Sequence, residues 1–127
     1  MRPFAINGDV WRVARVPAGD PSLIDRTETP RLAVTDARSR TVYLRDDLTP
    51  PLLDKVLLHE VAHAVTVSWG LLPEVGRMVT RGDIVGVEEW SAQLVENHAI
   101  EALNAATIAL GRPVCVRGFC SDGFGKY

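Results

Sequence analysis

The segment between Pro50 and Gly70 constrains the fold of this chain more than any other. Thr49 followed by Pro50 is typical of a helix start, and Gly70 is typical of a helix end. The sequence therefore predicts a helix from Pro50 to about Trp69. Its apolar residues fall on nearly every side of that helix: Leu52, Leu53, Val56, Leu57, Leu58, Val61, Ala64, Val65 and Val67. A helix that is apolar nearly all round is a buried one, so we expect it at the centre of the core.

The rest of the chain is consistent with one compact domain spanning residues 1–127. The composition is 46% hydrophobic and 24% charged, which argues against disorder. The net charge is −2 and the basic residues are scattered, so we expect no nucleic-acid partner. No apolar run is long enough for a membrane span, and the amino terminus lacks the apolar stretch of a signal peptide. With only Cys115 and Cys120, we expect a cytoplasmic protein with reduced thiols.

Residues 1–48 are expected to be rich in β structure. Asn7-Gly8 is a strong signal for a tight hairpin, and apolar and polar residues alternate over 10–16. Two more β-prone runs, 31–35 and 41–45, flank a polar connection. We expect a small antiparallel sheet of three or four strands with 41–45 last, and an extended substrate could add to that strand at the sheet edge.

Residues 49–111 are expected to be helical. A second long helix is predicted from Val87 to Leu110, because Gly111-Arg112-Pro113 is a stop signal. Residues 70–86, with four glycines and one proline, are expected to form a loop that contains at most a short helical turn. The tail, 112–127, is expected to be irregular. The fold class predicted is α+β, a small sheet packed on the first helix with the second long helix behind it.

The first helix carries the sequence His59-Glu60-Val61-Ala62-His63. Residues four apart on a helix project from one face, so both imidazoles can bind one zinc ion. Glu60, beside the first histidine, is suited to be the general base that takes a proton from water activated by the metal. The alternative is a chance occurrence on a structural helix. Burying two histidines and a carboxylate is costly unless they are paired or bind metal, which favours the metal site.

A catalytic zinc usually has a third protein ligand, and the second helix offers Glu88 and Glu89. Glu88 lies on a stripe of small or apolar residues, which we expect to pack against the first helix: Ser91, Val95, Ala99, Ala102 and Ala106. Glu88 is therefore the favoured ligand, and Glu89 is the alternative if the helix register differs. His98 is a candidate for a third ligand or an oxyanion contact, and Tyr43 for a substrate contact.

The His59-Glu60-x-x-His63 motif, followed some 25 residues later by a helical glutamate, resembles the gluzincin metallopeptidases. The small size, the hairpins before the motif and Glu88-x-x-Ser91 are similar to the minimal ImmA/IrrE-type and phage-encoded zinc peptidases. The resemblance implies a zincin-like fold with one zinc ion per chain, held by His59, His63 and Glu88. It implies that Glu60 is the catalytic base and that the reaction is endoproteolytic hydrolysis of a protein or peptide.

Two other functions remain open from the residues alone. The domain could bind zinc as a regulatory or interaction module without efficient turnover, since 127 residues leave little room for a deep specificity pocket. It could also be a zinc hydrolase acting on an amide or ester outside proteins.

Overall fold

The computed structural model describes residues 1–116 and the backbone of 119–120. In chain order the strands and helices are β1 (Phe4–Ile6), β2 (Asp9–Val16), a 3₁₀ turn (Pro21–Leu23), β3 (Ala33–Asp36), β4 (Thr41–Arg45), α1 (Leu52–Ser68), α2 (Leu72–Thr80), α3 (Ile84–Leu110), β5 (Cys115–Val116) and β6 (Phe119–Cys120). A four-stranded sheet and three helices make this an α+β fold, as predicted.

The sheet has the strand order β1-β2-β4-β3. The predicted Asn7-Gly8 hairpin is confirmed: both residues have positive φ, and Ile6 lies opposite Asp9 across a two-residue turn. The predicted hairpin between β3 and β4 is also confirmed.

The expectation of a purely antiparallel sheet is wrong, because β2 and β4 are parallel. The long connection over residues 17–32 carries the chain past β2, so β4 rather than β3 pairs with it. Val42 and Leu44 of β4 are then fully buried in the middle of the sheet. The prediction that 41–45 is an edge strand is therefore also wrong; β3 is the edge on that side.

The helices begin and end close to the predicted positions, with three differences. The first helix begins at Leu52, and Pro51 rather than Thr49 occupies its N-cap position. Residues 72–80 form a helix of their own within the predicted loop. The last helix starts three residues early, because the Asp83 side chain accepts a hydrogen bond from the Gly86 N–H and caps it. Its stop at Gly111 is confirmed, with the left-handed conformation that glycine favours (φ 71°).

The core lies between one face of the sheet and the helices α1 and α3. Its members include Phe4, Ile6, Trp11, Val42, Leu44, Leu57, Val61, Ala64, Ala105 and Ala106. Full burial of a side chain such as Leu57 contributes about 1.5–3 kcal/mol. The Trp11 indole is also buried and donates a 2.8 Å hydrogen bond to the Ser68 hydroxyl, which ties the end of α1 to β2. This contact helps to set the position of α1 along the sheet.

The expectation that α1 is buried on all sides is wrong. One of its sides, which includes His59, Ala62 and His63, is exposed. The sheet and α3 cover the other sides, and the part of the chain that the structure describes supplies no third layer over this one. The argument that both histidines are too costly to bury without a metal therefore applies to neither of them.

A buried ion pair joins the start of α1 to the segment after α3. Both carboxylate oxygens of Asp54, which is fully buried, accept hydrogen bonds from the Arg112 guanidinium at 2.6 and 2.7 Å, and the Cys115 N–H donates a third bond. Burial alone would raise the pKa of Asp54, but the Arg112 contact and the Cys115 N–H outweigh it and hold that pKa below its usual value.

We expect Asp54→Asn to lower the free energy of unfolding by about 2–3 kcal/mol at neutral pH, since it leaves Arg112 without its anion. A depressed carboxyl pKa stabilises the folded state above the unfolded-state pKa of about 3.9. The difference between wild type and variant should shrink as the pH falls below that value. Chemical denaturation across pH measures both effects. Asp47→Asn, which breaks the exposed pair with Arg45, is the control and should cost less than about 1 kcal/mol. Equal losses in the two variants would contradict the prediction.

The carboxyl-terminal segment departs from the expected irregular tail at β5 and β6, which pair with Cys115 opposite Cys120. Cys115 is disulfide-bonded, so the expectation of a reduced thiol is wrong for this residue. The expectation of a cytoplasmic location rests on reduced thiols, so the disulfide removes its support. The Cys120 side chain and residues 117–118 and 121–127, which make up most of the tail expected to be irregular, lie outside the described residues. None of the described helices has the length and apolar character needed to cross a membrane.

Candidate metal centre

The structure brings His59 and His63 together on the exposed side of α1. Their Nε2 atoms are 3.2 Å apart, and their rings meet edge to face with centroids 4.9 Å apart. The spacing of four residues on a helix produces this arrangement, as the sequence predicts.

The donor atoms fit a zinc ion. Two nitrogens that each lie about 2.0–2.1 Å from a tetrahedral zinc are about 3.3–3.4 Å apart, close to the observed separation. A Glu60 carboxylate oxygen belongs to the same group, whose ligand atoms all lie within 4.8 Å of one another. Neutral imidazoles and a carboxylate are the ligands that zinc accepts in catalytic sites. His59, Glu60 and His63 are therefore the residues that could hold or serve a metal here.

Glu60 lies beside the two histidines and reaches into the space between α1 and β3, where Thr35 contacts it. Only 7% of its surface is exposed. Its Oε2 accepts a 2.6 Å hydrogen bond from the hydroxyl of Thr35 on the edge strand β3. The same hydroxyl oxygen lies 3.1 Å from the Glu60 carbonyl oxygen. Because a hydroxyl has one proton, the shorter and charge-assisted bond to the carboxylate takes it.

The two carboxylate oxygens of Glu60 are in different situations. Oε2 is bonded to Thr35, whereas the structure records no bond to Oε1 from any described residue. Every fully buried side-chain oxygen in the described part of the chain has a hydrogen-bond partner. It follows that Oε1 is not fully buried. One oxygen is anchored to the sheet and the other is accessible, which is the arrangement that a proton acceptor needs.

The edge strand β3 presents main-chain groups beside this carboxylate. The Arg45 N–H donates to the Leu32 carbonyl oxygen, so Leu32 faces β4. In an antiparallel pair, every second residue directs its N–H and C=O groups toward the partner strand. After Leu32, the residues of β3 that bond to β4 in this way are Val34 and Asp36. The N–H and C=O groups of Ala33 and Thr35 therefore point away from β4, toward the open edge of the sheet.

The structure does not bring Glu88 or Glu89 to the histidines. Helices α1 and α3 are antiparallel, as shown by the Asp54–Arg112 contact at one end and the 2.7 Å bond from the Trp69 indole to Glu101 at the other. Relative to the Trp69–Glu101 contact, His63 lies six residues toward the amino end of α1, which is about 9 Å along the helix axis. Glu88 lies thirteen residues away in the opposite direction, about 20 Å along α3.

Both glutamates are exposed, and the buried residues of α3 are Ala102, Ala105, Ala106 and Ala109. The predicted packing stripe is therefore correct only for its second half. Its first half, with Glu88, extends beyond the end of α1. Helical phase gives the side of a helix on which a residue lies, but it does not give how far along its partner that residue sits.

His98 and Tyr43 also lie away from the histidine pair. The His98 ring packs on Trp69 with centroids 5.1 Å apart, and its Nδ1 is 3.5 Å from Glu101. Tyr43 lies between Val42 and Leu44, which face the core, so its side chain points to the opposite face of the sheet. Neither side chain is therefore placed beside the histidine pair, and an oxyanion or substrate contact from either stays a prediction.

Thr35 is the residue of the site that sequence reasoning missed. The sequence places it only within a β-prone run, and nothing in its local sequence marks it as a functional residue. A sequence signal exists in the strand alternation: Ala33 and Thr35 share a face, and that face packs on α1. Which helical residue it would meet depends on how α1 lies across the sheet.

Comparison of the chain with protein-family models, with curated proteins and with solved structures finds no match. The resemblance to zincin peptidases therefore rests on the motif and on the geometry described above.

Proposed function

We propose that this chain is a zinc-dependent peptidase in which His59 and His63 hold the metal and Glu60 is the general base. The observation that carries the proposal is the convergence of two imidazole nitrogens at zinc-ligand spacing with a carboxylate that has one accessible oxygen. When bound, zinc lowers the pKa of a coordinated water toward about 7 and polarises a carbonyl group.

Glu60 moves the proton in this proposal. Its accessible oxygen, Oε1, takes the proton of the attacking water and then delivers it to the leaving amine. Burial between α1 and β3 limits the motion of the side chain and excludes competing water from Oε2. Both histidines remain open to an incoming chain on the exposed side of α1.

The substrate class proposed is an extended peptide. The main-chain groups of Thr35 at the open edge of β3 can pair with such a peptide by β-augmentation, beside the Glu60 carboxylate. β3 thus replaces the strand 41–45 in the role that the sequence suggested. A small molecule with an isolated amide or ester would use none of these main-chain groups.

A hydrolysis assay on purified, zinc-loaded protein with a library of internally quenched peptides tests the proposal. We expect cleavage that is lost on chelation and restored by added zinc, because the chemistry depends on the metal. Cleavage that survives complete removal of metal, or an absence of cleavage across the library, would contradict it.

One observation favours a second candidate, a zinc-binding module without efficient turnover. Among the described residues, two histidines and one carboxylate converge, whereas a catalytic zinc usually has three protein ligands besides its water. If Glu60 serves as the third ligand, it is not free to act as a base. Stoichiometric zinc without cleavage of any peptide would support this candidate over the peptidase.

A further inference from the structure

We propose that Thr35 is a positioning residue for the reaction proposed above: its hydroxyl anchors Oε2 of Glu60 and so presents Oε1 for proton transfer. The inference rests on the proposed function for its role in turnover, but the anchoring can be tested without metal or substrate. Thr35 does not touch the reacting atoms and acts through Glu60.

The geometry argues for a selective anchor. A glutamate side chain has three rotatable bonds, and its two oxygens are chemically equivalent until something distinguishes them. The 2.6 Å bond from Thr35 is the one side-chain hydrogen bond to Glu60 in the described part of the chain. It acts where 93% of the residue's surface is removed from solvent, so water competes little for the carboxylate. The bond therefore holds the carboxylate in one orientation, with one oxygen on Thr35 and the other left accessible.

The location of Thr35 couples this anchor to the edge of the sheet. The same residue that holds Glu60 through its side chain offers its main-chain groups at the open edge of β3. A peptide that pairs with β3 next to Thr35 is thereby aligned with the carboxylate, because one residue determines both positions. A hydroxyl on a strand residue achieves this more rigidly than one on a loop, since strand β3 is fixed by its pairing with β4.

Three variants separate anchoring from general stability. Thr35→Val removes the hydroxyl and keeps the shape and β propensity, whereas Thr35→Ser keeps the hydroxyl. Thr66→Val is the matched control, because Thr66 is also buried and its hydroxyl donates only to a main-chain carbonyl, that of His63. All three substitutions change few atoms, so we expect each variant to fold. The thermal midpoint of each variant checks this.

The first measurement uses metal-free protein. NMR three-bond couplings across χ1 and χ2 of Glu60 should report one rotamer in wild type, Thr35→Ser and Thr66→Val, and averaged rotamers in Thr35→Val. A single Glu60 rotamer in Thr35→Val would overturn the proposal, and so would averaging in Thr66→Val to the same extent.

The second measurement is steady-state cleavage of the quenched peptides by the zinc-loaded proteins. We expect Thr35→Val to lower kcat by about 10–100-fold with KM within about two-fold, and Thr35→Ser to recover most of the loss. An unchanged kcat in Thr35→Val would overturn the positioning role and leave the peptidase proposal standing. Averaged rotamers in Thr35→Val with no cleavage by any protein would support the anchor and overturn the peptidase proposal instead.

Discussion

Glu60→Gln is expected to lower peptide hydrolysis by about 10²–10⁴-fold while fold and bound zinc are retained. Glutamine has nearly the same shape as glutamate, and its amide oxygen can still accept the hydrogen bond from the Thr35 hydroxyl. It has no basic oxygen, so it cannot take the proton of the attacking water. The measurements are kcat on the quenched peptides, zinc per chain and the thermal midpoint of the same preparations.

The matched control is Glu96→Gln, which makes the same chemical change at an exposed position of α3. We expect this variant to cleave peptides at the wild-type rate. Two results would contradict the role of Glu60. One is hydrolysis by Glu60→Gln at the wild-type rate. The other is loss of zinc from Glu60→Gln together with hydrolysis, which would make Glu60 a metal ligand.

His59→Ala and His63→Ala are each expected to reduce bound zinc from about one per chain to a small fraction of that. Each variant removes one of the two imidazoles whose Nε2 atoms are 3.2 Å apart, and the remaining ligands bind zinc much more weakly. Zinc binding stabilises the fold that it binds, so zinc should raise the thermal midpoint of wild type and not of these variants. Metal analysis after gel filtration, with a competition titration, measures the loss.

The controls for zinc binding are His98→Ala and Glu88→Ala. His98 packs on Trp69 and Glu88 lies on the exposed first half of α3, so both variants are expected to keep wild-type zinc content. A loss of orders of magnitude in the affinity of Glu88→Ala would show that α3 moves toward the histidines when metal binds. Zinc retained at full stoichiometry in both His59→Ala and His63→Ala would overturn the site.

The elements that sequence reasoning predicted well depend on short-range physics. The Asn7-Gly8 turn, the stop at Gly111 and the spacing of His59 and His63 all follow from the conformations of a few neighbouring residues. The α+β class follows from the change in hydrophobic period along the chain. The helix over 72–80 was missed because Gly76 and Pro73 suggest a loop, yet Pro73 lies in the first turn, where proline is tolerated.

The sequence by itself thus determined which helix carries the candidate metal ligands and which carboxylate accompanies them. The reason is that residues four apart on a helix project from the same face. Tertiary structure alone decided three things: that β4 is interior, that Glu88 extends past the end of α1, and that Thr35 meets Glu60. Each is a relation between segments distant in sequence. Such relations depend on how far one packed segment is displaced along another, and local periodicity does not determine that displacement.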